Sequence, residues 1–118
     1  MCGRVVSVER EDQLDAVTAL SGSGPAYLFL LAEAMTQAGV RLGLPEALAQ
    51  ELTNQTIYGA GALLVSHDEP ASTLRENVTS KGGTTAAALE VLMADDGLAD
   101  LLDKAMTAAH KRSQALGR

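Results

Sequence analysis

The chain has 118 residues, 47% apolar but only 3% aromatic, with a formal net charge of −6 at pH 7. That length makes one domain with a modest core, and the acidic balance excludes a nucleic-acid face, which needs a concentrated basic patch. A core of Ala, Leu, Val and Met buries little area per side chain at roughly 25 cal/mol per Å², so association is favoured over a self-sufficient monomer.

The only basic cluster, Lys111, Arg112 and Arg118, suits a helix C-terminus. A single cysteine, Cys2, forms no internal disulfide and points to a reducing compartment. The N-terminus carries Arg4, Glu9, Arg10 and Glu11 without the apolar stretch of a signal peptide. The longest uninterrupted apolar run, Ala26 to Ala32, falls well below the ~20 residues of a membrane span. A soluble, cytoplasmic protein is expected.

Val5, Val6 and Val8 make "VVSVE" strand-like, and no second strand follows to pair with it. Residues 1–10 therefore read as a separate leading piece and 11–118 as an all-α helical domain. A short helix is predicted from Glu11 to Leu20, ended by the glycine-serine punctuation at 21–24. Pro25 sits where the first turn of a helix welcomes it, and that helix runs to about Leu42. Pro45 opens another to about Ser66. A short helix follows Pro70 to about Asn77, another covers Thr84 to Ala94, and the last runs from Leu98 to Leu116.

"AYLFLLA" (26–32) and "IYGAGALLV" (57–65) are apolar all round, so both helices should be enclosed on every side. A chain this small has room for about one such helix at its centre. Two imply that a second copy supplies the cover, and Gly59 and Gly61 permit close backbone approach there. The last helix is ordinary and amphipathic, with Leu98, Leu101, Leu102, Ala105, Met106, Ala109 and Leu116 in one stripe and Asp100–Lys104 as an i,i+4 pair outside it.

Two glycine-rich stretches invite a chemical reading. "SGSGPAY" (21–27) has the first two glycines of a dinucleotide loop, but Tyr27 stands where a third small residue belongs. No strand leads in, and no βαβ unit surrounds it. A tight turn into Pro25 is the preferred reading, with Ser23 and Gly24 kept as a contact to a ligand held elsewhere. "NVTSKGGTTAAALEVL" (77–92) places Gly82-Gly83 and Thr84-Thr85 directly before an alanine-rich helix. Glycine is poor inside a helix and threonine caps one, so backbone N–H groups should face outward at a helix start, where an anion is welcome. A plain loop and cap has the same pattern.

His67 and His110 have no partner at metal spacing, so no metal is assigned. Ser21, Ser23 and Ser80 have no base at a fixed spacing, which leaves nucleophilic hydrolysis unsupported. Glu33, a charge beside an apolar stretch, reads as the exposed edge of its helix.

"DAVTALSGSGPAY" (15–27) with "NVTSKGGTTAAAL" (77–89) resembles the C-terminal domain of the pyrroline-5-carboxylate reductase family, whose members reduce 1-pyrroline-5-carboxylate to proline. The resemblance runs from about Val5 to the end. It implies a helical bundle like the C-terminal domain of 6-phosphogluconate-dehydrogenase-like reductases, interleaved with a second copy as a homodimer and in some members assembled further. It also implies that "VVSVE" is the remnant of the last strand of a Rossmann domain binding NADPH or NADH, with Met1-Cys2-Gly3 standing in place of the rest and Ser7 where an aromatic is common. The chain then looks like a truncated reductase, without a cofactor of its own and inactive alone.

By the same resemblance Ser80, Gly82, Gly83, Thr84 and Thr85 hold the carboxylate of a small cyclic imino or amino acid through backbone amides. Thr85 hydrogen-bonds the ring nitrogen and is the catalytic candidate. Lys81 replaces a proline found in many relatives; it loosens the loop and adds attraction for the carboxylate. Two other readings compete: a stand-alone helical oligomerisation module without ligand, and one half of a split reductase whose Rossmann chain docks on Val5 to Val8.

Overall fold

The structure, a computed structural model, describes residues 11–117. Cys2 and the strand expected at 5–8 lie outside the described residues. Six α-helices follow in order: α1 Glu11–Val17, α2 Gly24–Arg41, α3 Glu46–Ser66, α4 Ala71–Asn77, α5 Thr84–Leu92 and α6 Leu98–Leu116, with a π turn, Thr18–Gly22, between α1 and α2. Among the described residues there is no strand.

The glycines and serines at 21–24 do not end a helix, as the sequence led us to expect. Instead the chain passes through them without leaving the helical region: Val17 (φ −61°) and Ser23 (φ −85°) are both right-handed. Pro25 explains the form of the junction. It has no N–H to give the carbonyl four residues back, and its ring crowds that carbonyl. The ladder loosens instead of breaking, with the Ser23 amide reaching back five residues to the Thr18 carbonyl at 2.8 Å and the Ala26 amide bonding the Ser23 carbonyl at 3.1 Å. Side chains bind the loosened turn: Thr18 donates to the Leu14 carbonyl, Ser21 to the Val17 carbonyl and the Tyr27 hydroxyl to the Ala19 carbonyl, at 3.0, 3.2 and 2.6 Å. Such back-bonding and π turns both bend helices.

Fusing α1 with α2 also lengthens the apolar helical run. The helical run Gln13–Arg41 spans 29 residues with a mean hydropathy of 1.2 over its most apolar window, long and apolar enough to cross a bilayer by length and composition alone. The longest apolar run in the sequence understated it, because only the continuous junction gives the helix its length.

Two packing units use this rod. α2 turns back into α3 through Leu42–Pro45, where Gly43 takes φ +110° and lets the Leu44 amide reach the Gly39 carbonyl at 3.1 Å. The two helices meet closely at Gly39, where an added methyl carbon would lie 3.3 Å from the Ala49 methyl. Ala49 is only 2% exposed, and Thr53 one turn on is 7% exposed. The other unit is α6 laid against α1 and the π turn. Ala19 is buried there, and the Ser113 hydroxyl donates to the Asp15 carboxylate at 2.7 Å across 98 residues of sequence. The expected Asp100–Lys104 pair forms at 3.0 Å on the outer face of α6. α4 and α5 pack substantially on neither unit.

Little is enclosed. Phe29 (70% exposed), Tyr58 (74%) and Val65 (88%) stand out from helices whose sequence called for cover on every side. The α6 stripe is only partly covered too, with Leu101 and Leu116 exposed. Among the described residues, nothing beyond the backbone of α3 itself comes within 4 Å of a methyl added at Gly59 or Gly61. The accessible surface is 9556 Å² for a 12.2 kDa chain, whereas a folded monomer of that mass exposes roughly 6,000 Å². The radius of gyration is 16.7 Å, against about 13 Å for a compact domain of this length. The excess is several times the ~800 Å² that one partner contributes to a standard interface, so a single copy is an incomplete core.

Sedimentation at micromolar concentration should therefore give at least twice the chain mass; a well-folded 12.2 kDa species would contradict this. Gly43→Ala should lower stability by about 1–2 kcal/mol, since a residue with a Cβ resists positive φ. The denaturant midpoint reads this, and an unchanged midpoint would show that α2 does not end in the left-handed cap.

Candidate functional site

The segment leading to α5 is built by local bonds. At the end of α4 the ladder tightens: the Val78 amide donates to the Arg75 carbonyl at 3.3 Å and the Thr79 amide to the Glu76 carbonyl at 3.1 Å. The Thr79 hydroxyl adds a bond to the Arg75 carbonyl at 2.6 Å. A tight turn follows, closed by the Gly83 amide on the Ser80 carbonyl at 3.0 Å. Lys81 and Gly82 occupy its two central positions, and Gly82 has φ +73°. A closing bond with positive φ at the second central residue is the pattern of a type II turn, which favours glycine there.

Gly83, not a threonine, is the N-cap of α5, and no side chain caps the helix. This corrects the capping role expected of Thr84 and Thr85, which are the first two residues of the helix. The extended backbone of Gly83 (φ −90°, ψ −173°) lets the chain enter the helix. An added methyl carbon at Gly83 would lie 3.3 Å from the Ser80 carbonyl oxygen and 3.5 Å from the Ser80 Cβ, so a larger residue would make the turn give by a few tenths of an ångström.

The first bond into α5 runs from the Ala87 amide to the Gly83 carbonyl at 3.2 Å. Among the described residues, the amides of Thr84, Thr85 and Ala86 have no backbone acceptor, nor does that of Gly82. The sequence reading expected Gly82, Gly83 and Thr84 to present their amides. The structure keeps two of these and removes Gly83, whose N–H already closes the turn. It adds Thr85 and Ala86, as the geometry of any helix start requires. Ser80, Gly82 and Thr84 are exposed, while Gly83 and Thr85 are half-buried. The result is a short arc of free N–H groups at the positive end of a nine-residue helix, suited to one small anion such as a carboxylate. Lys81 stands exposed on the turn beside it.

Beside the loop, α4 and α5 enclose an open groove of about 420 Å³ lined by Arg75, Glu76, Thr79, Ala86, Leu89 and Met93, among others. The sequence reading did not single out Arg75 or this groove. Its only trace there is the apolar spacing of Leu89 and Met93 on α5.

Ser23 and Gly24, kept in the sequence reading as a contact to a ligand held elsewhere, sit at the junction of α1 and α2. They lie mid-run between the π turn and α2, and the Ser23 amide is engaged by Thr18. A pyrophosphate needs several free amides at a strand-to-helix turn; this junction offers neither the turn nor the amides, so the residues do not fit a dinucleotide cradle. His67 shares a 3.0 Å hydrogen bond with the Ser66 hydroxyl. His110 is half-buried on α6. Among the described residues no three His, Cys, Asp or Glu side chains converge on a point.

Comparison with known proteins agrees with this architecture. The family model for pyrroline-5-carboxylate reductase dimerisation matches residues 11–116. The pyrroline-5-carboxylate reductase of Haemophilus influenzae is 49% identical over 115 residues, covering 97% of this chain and 42% of that protein. That of Pseudomonas aeruginosa is 46% identical, covering 97% and 41%. Among solved structures, a pyrroline-5-carboxylate reductase from Coxiella burnetii superposes with a TM-score of 0.88 at 45% identity, over 92% of this chain and 40% of that one. A Plasmodium falciparum pyrroline carboxylate reductase with NADP bound gives a TM-score of 0.86 at 36% identity, over 93% and 42%. The chain spans about two fifths of the length of these relatives. With its match extending through all six helices, the chain belongs to the pyrroline-5-carboxylate reductase dimerisation family.

Proposed function

We propose that this chain is the dimerising and substrate-holding part of a pyrroline-5-carboxylate reductase. The observation that carries the proposal is the arc of free amides at the start of α5, within a chain of that family. In this reading the amides of Gly82, Thr84, Thr85 and Ala86 hold the carboxylate of 1-pyrroline-5-carboxylate, and Lys81 draws the anion toward them. Gly83 serves by its smallness and by closing the turn. The Thr85 hydroxyl, one residue into the helix, hydrogen-bonds the ring nitrogen and so fixes which face of the cyclic imine is presented. Reduction adds a hydride to the imine carbon and a proton to the nitrogen.

NADP is present in the Plasmodium relative, and a nicotinamide cofactor is the natural hydride source for the assembled enzyme. Among the described residues no strand-to-helix turn of a dinucleotide cradle is found, and this reading puts the cofactor on a separate domain. Interleaving of two copies would cover α2 and α3 and hold the α4–α5 segment, which its own chain leaves almost unsupported. Assemblies beyond the dimer and a cytoplasmic site of action are part of the same proposal.

Proline should bind weakly to the isolated chain. A few charge-assisted hydrogen bonds at ~1.5–3 kcal/mol each, set against the loss of translational freedom, give about millimolar affinity. Titrating isotopically labelled protein with proline should shift residues 78–87 and their neighbours. Thr85→Ala should weaken proline but leave cyclopentanecarboxylate, which has no ring nitrogen, almost unaffected. Gly83→Val should abolish both by breaking the turn. Shifts elsewhere, or an equal loss for both ligands in Thr85→Ala, would overturn the assigned roles, and no shift at all would favour a pure oligomerisation module.

The purified 118-residue chain should not oxidise NADPH with pyrroline-5-carboxylate. Activity restored by adding a separate dinucleotide-binding chain would identify a split reductase. Turnover by the 118 residues alone, free of host enzyme, would refute the placement of the cofactor elsewhere.

A further inference from the structure

We draw no further inference here: the strongest candidate, the apolar groove of about 410 Å³ between α1 and α6 lined by Ala16, Ala19, Leu102 and Met106 with His110 among its lining residues, is an unpartnered face, and nothing in the structure shows what covers it.

Discussion

Two long helices with their apolar sides uncovered set the terms for the rest of this molecule. α2 and α3 touch each other along a narrow seam at Gly39 and Ala49, where small side chains allow close approach but remove little apolar area. Leu28, Phe29, Leu30, Leu64 and Val65 are left exposed by that seam. At roughly 25 cal/mol per Å², this exposed area is the largest stabilising term still available to the chain. A second copy can supply it, because a symmetric partner presents the same faces in return. The loop before α5 depends on that cover as well: its own turn is locally bonded, but α4 and α5 have little to rest on. In the proposed function, dimer formation and the anion site are therefore linked by packing.

The π turn is the second constraint, and it follows from one residue. Pro25 interrupts the hydrogen-bond ladder of a helical run, and the chain answers by widening one turn instead of stopping. Tyr27 and Ser21 then bond carbonyls of that turn and its approach. The consequence is mechanical. α1, held to α6 by the Asp15–Ser113 bond, runs on through the π turn into α2, which belongs to the apolar seam.

Most helices were legible in the sequence because their signals are local. Pro25, Pro45 and Pro70 mark helix starts to within a residue of where the helices begin, and the final amphipathic stripe ends at Leu116 as its periodicity requires. The glycine-serine stretch at 21–24 misled for a physical reason: glycine permits a turn but does not compel one, and here side-chain bonds from Thr18, Ser21 and Tyr27 hold the junction helical. The site was readable in outline, since glycine pairs before a helix imply free amides. Which amides are free was not readable. That depends on the Ser80–Gly83 bond, which engages Gly83, and on Gly83 displacing the threonines from the cap. The α4–α5 groove with Arg75 was hidden because it joins residues that share no sequence pattern.

The central claim is that the core is shared between copies, and the dependence of thermal unfolding on protein concentration tests it most directly. If folding and association are one event, the midpoint must rise with concentration by mass action. Over a hundredfold increase in concentration we expect a single cooperative transition that moves upward by several degrees. A cooperative transition whose midpoint does not move would contradict the account, because the chain would then carry a complete core of its own.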